Sequence, residues 1–244
     1  MSLLQTYQAI AEQEWIDIPL GWLQGRTIYG GLVAGLMMQK AQLCIADPKK
    51  RLLSSSVTFV GPVQQGRARL TAEILREGKS VTSVEVRLWQ DDAVQSILIA
   101  SFGAARESSI VVQQERTAPN FPPATELPVT QHHPLAPECF QQMDLVWSEG
   151  QYPFTASHKP DFAGWMRFNP KQHTNRAMTI ADLMVAFDMW PPGVLPMFEQ
   201  LAPASSLTWH VTYVNPLQNQ LQDWMKYKVF TDHARSNYDT DYAD

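Results

Sequence analysis

Two heptapeptides, "VTFVGPV" at Val57–Val63 and "VTYVNPL" at Val211–Leu217, say nearly the same thing twice. β-Branched and aromatic residues running into a proline describe many strand ends, so the pair alone decides little. The surroundings decide more. Val57 and Val211 lie 154 positions apart, and the spacing persists through Pro62 and Pro216. The turn "REGKS" (Arg76–Ser80) falls opposite "DHARS" (Asp232–Ser236) at 156 positions, the two extra residues being absorbed in the loop Gln218–Asp223. Helix, strand, loop, strand, turn and strand therefore recur in one order, and the chain reads as one structural unit written twice.

The first copy opens with "GGLVAGLMMQKAQLCIA". This segment predicts a buried helix over Gly30–Ala46, led by two glycines and stopped by Pro48. Four strands are expected after it, near Leu53–Val60, Arg67–Glu77, Ser80–Trp89 and Ala93–Arg106, with the middle pair joined as a hairpin through "EGK". One apolar helix followed by a meander of long strands predicts an α+β unit in which an antiparallel sheet wraps the helix. From Ser108 to Cys139 six prolines interrupt a run rich in Gln, Thr and Glu, which reads as an extended linker. The expected division is thus 1–107, a linker 108–139, and a second copy 140–244. In the second copy strands are expected at Asp144–Trp147 and Phe162–Phe168, then a helix over Arg176–Trp190 ended by Pro191–Pro192. Further strands are expected at Ser206–Asn215 and Asp223–Thr231, with another beginning near Ser236. The fourth strand of the first copy would have its partner near position 249, past Asp244, so a last C-terminal strand of the natural protein is expected to be missing from this sequence.

Eight Trp, ten Phe and ten Met are ample for a packed core. A net charge of −5 with no basic block gives nucleic acid no surface to bind. Cys44 and Cys139 make neither a disulfide framework nor zinc-ligand spacing, which fits a reducing, cytoplasmic setting. The first fifteen residues carry no basic region before an apolar one, so no signal peptide is expected, and no apolar run reaches the ~20 residues that span a bilayer.

Two carboxylates, Asp182 and Asp188, stand in the otherwise apolar segment Arg176–Trp190. Asp182 falls where the helix dipole favours a negative charge. Asp188 falls in the last turn, on a stripe with Ala181, Met184 and Val185, where both burial and dipole oppose ionisation. Such a group has a raised pKa and serves as a base or orients a water; alternatively it reaches solvent past Trp190 or bonds to a neighbouring strand. In "YGGLVAG", Gly30 and Gly31 bring helix N-terminal N–H groups close to a ligand carbonyl, or simply let the helix pack tightly on a strand. Alternation puts Ser206, Thr208, His210 and Thr212 on one strand face and Leu207, Trp209, Val211 and Tyr213 on the other, the second of which should cover the helix. His132, His133, His158, His173 and His233 have no carboxylate or thiol at ligand spacing, so neither a metal nor another cofactor is expected. A nucleophile elbow, a Walker A loop and a G-x-G-x-x-G fingerprint are all missing from the sequence.

The strings "GRTIYGGLVAGLMMQKA", "REGKSVTSVEVRLWQ", "IASFGA" and "VAFDMWPP", in this order, resemble the double-hotdog acyl-CoA thioesterases, in particular the bacterial acyl-CoA thioesterase II family. The resemblance spans nearly the whole chain except the linker. It implies hydrolysis of an acyl-CoA thioester by a water held by an Asp, a Thr or Ser, and a Gln. Carried over, the Asp is Asp188 and the Thr/Ser position is Ser206, whereas the Gln belongs to the final strand and has no counterpart here. Gly30, Gly31 and Thr208 would bind the thioester and its oxyanion, and Arg26 would meet the CoA phosphates. Further association into a homo-oligomer is implied as well. A hotdog dehydratase would need a catalytic His at the helix, and neither helix has one. The competing expectation is a binding protein for acyl-CoA or acyl carrier that keeps the fold without hydrolysis, which the missing Gln favours.

Overall fold

The computed structural model describes residues 1–112, 118–131, 136–236 and 238–243. The chain runs α1 (Leu3–Glu12), β1 (Trp15–Asp17), β2 (Leu23–Gln24), β3 (Thr27–Ile28), α2 (Gly30–Leu43), β4 (Lys50–Phe59), β5 (Arg67–Glu77), β6 (Val81–Gln90) and β7 (Ala93–Ala104). The second copy continues with β8 (Met143–Gly150), β9 (Phe162–Phe168), α3 (Ile180–Phe187), β10 (Thr208–Thr212), β11 (Met225–Arg235) and β12 (Tyr238–Ala243). His132 and His133 lie outside the described residues.

From Gly31 to Met38 the apolar pattern of α2 has no polar face, and this part of the helix is accordingly buried on all sides, with Leu32, Leu36, Met37 and Met38 fully so. In β6 the residues Thr82, Val84, Val86, Leu88 and Gln90 are buried and alternate with half-buried Ser83, Glu85, Arg87 and Trp89, the signature of a sheet with one face on a helix. The sheet is antiparallel, in the order β1-β5-β6-β7-β4-β10. A second sheet has the order β12-β11-β9-β8.

β10 comes from the second copy but pairs with β4 of the first. Its register sets Trp209 opposite Val57, His210 opposite Ser56 and Val211 opposite Ser55. Adding the 154-residue spacing of the repeat to one side of each pair gives the other side of the same set, with Ser56 and His210 at the centre. The two copies are therefore related by a pseudo-two-fold axis through that pair, where the Ser56 hydroxyl and His210 Nδ1 lie 2.8 Å apart. Both hairpins also carry a one-residue bulge shortly before the turn, Leu75 in β5 and Asp232 in β11. In the second hairpin Asp232–Arg235 is still strand and Arg235 pairs with Tyr238, so the turn comes later than the Asp232–Ser236 set by the sequence reading. In the first sheet β7 lies between β6 and β4; among the described residues no strand takes the corresponding place between β12 and β10.

The second helix is shorter than the apolar pattern suggests. It covers Ile180–Phe187, capped by Thr179, while Arg176 folds back and binds Asp182 through both Nη atoms at 2.7 and 2.8 Å. Gly35 lets α2 and α3 approach, because a Cβ there would sit 2.6 Å from Val185 Cγ2 and 2.9 Å from the Ala181 carbonyl. The expected alternation is present: Trp209 and Val211 are half-buried and the Tyr213 hydroxyl, just past β10, reaches Met184 of α3, while Thr208, His210 and Thr212 are exposed. α1, which the sequence reading passes over, starts from a Ser2/Gln5 capping box and buries Leu3, Tyr7 and Ile10. Part of the proline-rich segment is docked rather than free. Phe121 stacks edge-on against Trp165 at 5.3 Å, Trp165 Nε1 donates to the Pro122 carbonyl, and Lys226 donates to the Pro119 carbonyl.

His173 is packed between Trp22 and Phe168, with ring centroids at 6.0 and 5.2 Å. Gln142 donates through Nε2 to the Gly21 carbonyl, so its Oε1, 3.0 Å from His173 Nε2, accepts and holds the neutral Nε2–H tautomer. Burial pushes the imidazole down to about 4 from 6.5. A depressed histidine stabilises the fold fully above the unfolded value and loses that contribution as pH falls from about 6.5 to about 4. The loss is roughly 3 kcal/mol. Urea midpoints at pH 7 and pH 4.5 should show it as a smaller acid-induced drop in His173→Gln than in the parent chain; equal drops would remove His173 from the account.

Candidate active site

Asp188 is the residue that ends α3, at φ −92° and ψ 1°. Its carboxylate crosses to the other copy. Oδ2 accepts the Gly31 backbone N–H at 2.9 Å, and Oδ1 accepts the Ser206 hydroxyl at 3.4 Å, the long edge of hydrogen bonding. The carboxylate thus sits between two helix ends of opposite sign, the unfavourable C-terminus of α3 and the favourable N-terminus of α2. Desolvation by burial dominates and pushes Asp188 up to about 7, against the Gly31 N–H and the Ser206 hydroxyl, which both pull it down. A carboxyl group poised near neutrality in this way can exchange a proton with a bound water.

The glycine pair has a specific occupant on each side. A Cβ on Gly30 would lie 2.8 Å from Asp188 Oδ2 and 3.3 Å from the Phe59 ring. A Cβ on Gly31 would lie 2.5 Å from the Tyr29 ring and hydroxyl. The space that the sequence offers to a ligand is therefore used, at least in part, by two side chains of the protein. Ser206 precedes β10 and is exposed; Thr208 begins β10, exposed, opposite Thr58. Asp182 has a separate role at the other end of α3, where it is buried and caps the helix through Thr179. Arg26 is exposed in the turn between β2 and β3.

Apolar walls border the carboxylate. Phe59 packs against Trp209 at 5.3 Å, and its N–H donates to the Leu207 carbonyl next to Ser206. Cys139, buried near Asp188, has its thiol pushed up to about 12 by desolvation first and by the nearby carboxylate second. Tyr227, stacked on Trp190 at 5.5 Å, is raised by the same two effects together with Asp241. The sequence reading misses Phe59 and Tyr29 as parts of this site. For Tyr29 the signal was its place directly before the glycines; for Phe59 nothing local marks it.

Residues 18–103 match the family model described as the acyl-CoA thioesterase N-terminal domain, and residues 116–239 match the acyl-CoA thioesterase C-terminal domain. The chain belongs to the acyl-CoA thioesterase family. Solved structures with the same fold include a hot dog protein of unknown function from Alicyclobacillus acidocaldarius, at TM-score 0.81 and 19% identity over 94% of this chain and 84% of that one. A candidate thioesterase II from Thermobifida fusca has TM-score 0.80 and 15% identity over 98% and 90% of the two chains. An acyl-CoA thioesterase II from Mycobacterium marinum has TM-score 0.66 and 19% identity over 94% and 87%. These likenesses establish the double-hotdog architecture for this acyl-CoA thioesterase family member. No curated protein sequence matches it.

Proposed function

We propose that the protein hydrolyses the thioester of an acyl-CoA, using a water activated by Asp188 and oriented by Ser206. The observation that carries this reading is the Asp188 carboxylate itself, desolvated at the junction of the two copies and held from both sides by Gly31 N–H and Ser206. Asp188 takes a proton from the water as it attacks the thioester carbon; the tetrahedral intermediate then collapses with cleavage of the C–S bond, the CoA thiolate leaves and takes up that proton, and no acyl-enzyme is needed. Gly31 N–H links this step to stabilisation of the oxyanion. While Asp188 is ionised, its Oδ2 holds that N–H; as it gains the proton it becomes a poorer acceptor, and the growing oxyanion a better one. The donor is thus handed over as charge moves. The Gln implied by the family resemblance is not among the described residues, and no step here relies on it.

The test is release of free thiol from a panel of acyl-CoAs of different chain length. Turnover with at least one of them is the expected result. Binding without thiol release across the panel would favour a non-hydrolytic acyl-CoA or acyl-carrier binding protein instead.

A further inference from the structure

In a regular helix the Val185 carbonyl accepts the N–H of Met189, four residues on. Here Met189 N–H goes instead to the Ala186 carbonyl at 3.1 Å, and Asp188 N–H is directed to that carbonyl as well. The Val185 carbonyl accepts the hydroxyl of Tyr29 at 2.6 Å, from the other copy and 156 positions away. α3 therefore ends in a tightened turn whose released carbonyl is satisfied from outside the helix.

We propose that Tyr29 is a positioning residue for Asp188, acting through the Val185 carbonyl, so that the last turn of α3 delivers the carboxylate to Gly31 N–H. The inference rests on the role given to Asp188 above. Tyr29 is well placed to hold this geometry. It is fully enclosed, stacks on Trp22 with centroids 6.1 Å apart and planes 16° from parallel, and donates its own N–H to the Trp22 carbonyl at 2.9 Å. Its ring occupies the space where a Gly31 Cβ would be, so the peptide that supplies the N–H and the hydroxyl that shapes the helix end are in direct contact. One tyrosine thereby registers the start of α2 against the end of α3. Restoring the regular Met189-to-Val185 bond would add a helical residue and rotate Asp188 away from Gly31.

The titratable groups that face Asp188 are Tyr29 at the start of α2, Cys139 ahead of β8 and Tyr227 on β11, with Asp241 of β12 beyond Tyr227. Burial raises all three of the nearer groups, which keeps them neutral while Asp188 titrates.

Tyr29→Phe removes one oxygen and leaves the ring on Trp22. With the full chain and no substrate, the Asp188 side-chain carboxyl can be titrated by carbon-13 NMR, Asp188→Asn giving the assignment. Loss of the Gly31 N–H should move the titration of Asp188 upward by about one pH unit in Tyr29→Phe. In thiol release, kcat at pH 7 should fall about tenfold or more, KM should stay within about twofold, and the acid limb of the rate profile should move to higher pH. Gly31→Ala, which pushes a methyl into the Tyr29 ring and so displaces both Tyr29 and the peptide that holds Asp188, should shift the carboxyl in the same direction; if Tyr29→Phe does not fold, an unmoved Asp188 titration in Gly31→Ala overturns the proposal. Tyr213→Phe, which also deletes a hydroxyl beside α3, should leave the Asp188 titration in place. An unmoved Asp188 titration in folded Tyr29→Phe would overturn the proposal and leave Tyr29 a packing residue. A moved titration in a chain that releases no thiol would uphold the positioning and sink the hydrolase reading alone.

Discussion

Asp188→Asn is expected to lower kcat on a good acyl-CoA by about a hundredfold or more, with KM within about threefold, because it removes a general base and little else. Asn keeps the shape. Its carbonyl can still accept Gly31 N–H, and its amide can donate to the Ser206 hydroxyl in place of the contact seen at 3.4 Å. The sign of the linkage predicts that the fold is kept. An aspartate whose folded value is raised from 3.8 to about 7 stabilises the fold below 3.8 and progressively loses that contribution as pH rises through about 7. Above pH 7 the ionised carboxylate is therefore a cost to stability, and the neutral amide does not carry it. Asp188→Asn should unfold at equal or higher urea than the parent at pH 8 while being nearly inactive, the trade between stability and activity expected of a strained functional group. Full activity in the variant would take Asp188 out of the chemistry.

Asp182→Ala should give the opposite result, a large loss of stability with little effect on the chemistry of the folded fraction. Asp182 is completely buried and accepts from Arg176 Nη1 and Nη2 and from the Thr179 N–H and hydroxyl, all within 2.8 Å. Truncation strands an arginine side chain that is only 23% exposed and removes one half of the capping box on α3. Breaking a buried ion pair on one side costs about 3–5 kcal/mol and a lost cap about 1, so a drop of at least 3 kcal/mol is expected. The urea midpoint measures it. A drop below about 1 kcal/mol would mean that water or a shifted Arg176 replaces the network.

These two aspartates show how far the sequence could be read. Six residues apart on one apolar segment, they differ in what surrounds them, and dipole polarity alone separated a helix-start carboxylate from one that is opposed at the helix end. The start of α3 was also legible, since "TIAD" at Thr179–Asp182 is a capping signature; the largely apolar segment Arg176–Trp190, taken as one helix, masked it. The duplication was legible because a pseudo-two-fold axis leaves one constant spacing in the sequence, and the β4–β10 register obeys that spacing. Contacts between the copies were not legible. "YGG" says that a backbone needs room, but the groups that take the room, the Asp188 carboxylate and the Tyr29 hydroxyl on its way to Val185, depend on how the two halves dock. For the same reason the partner of Asp188 read as a free oxyanion donor, while in the structure it already holds the base.

The most direct measurement of the central claim is the pH dependence of kcat/KM for thiol release, taken on the parent chain and on Asp188→Asn together. With Asp188 as the base, the rate should be flat above about pH 8 and fall tenfold per unit below about 7, the value to which burial pushes this carboxyl, and the residual rate of Asp188→Asn should lack that limb. A profile flat from pH 5 to 8, or a limb that survives unchanged in Asp188→Asn, would contradict the account.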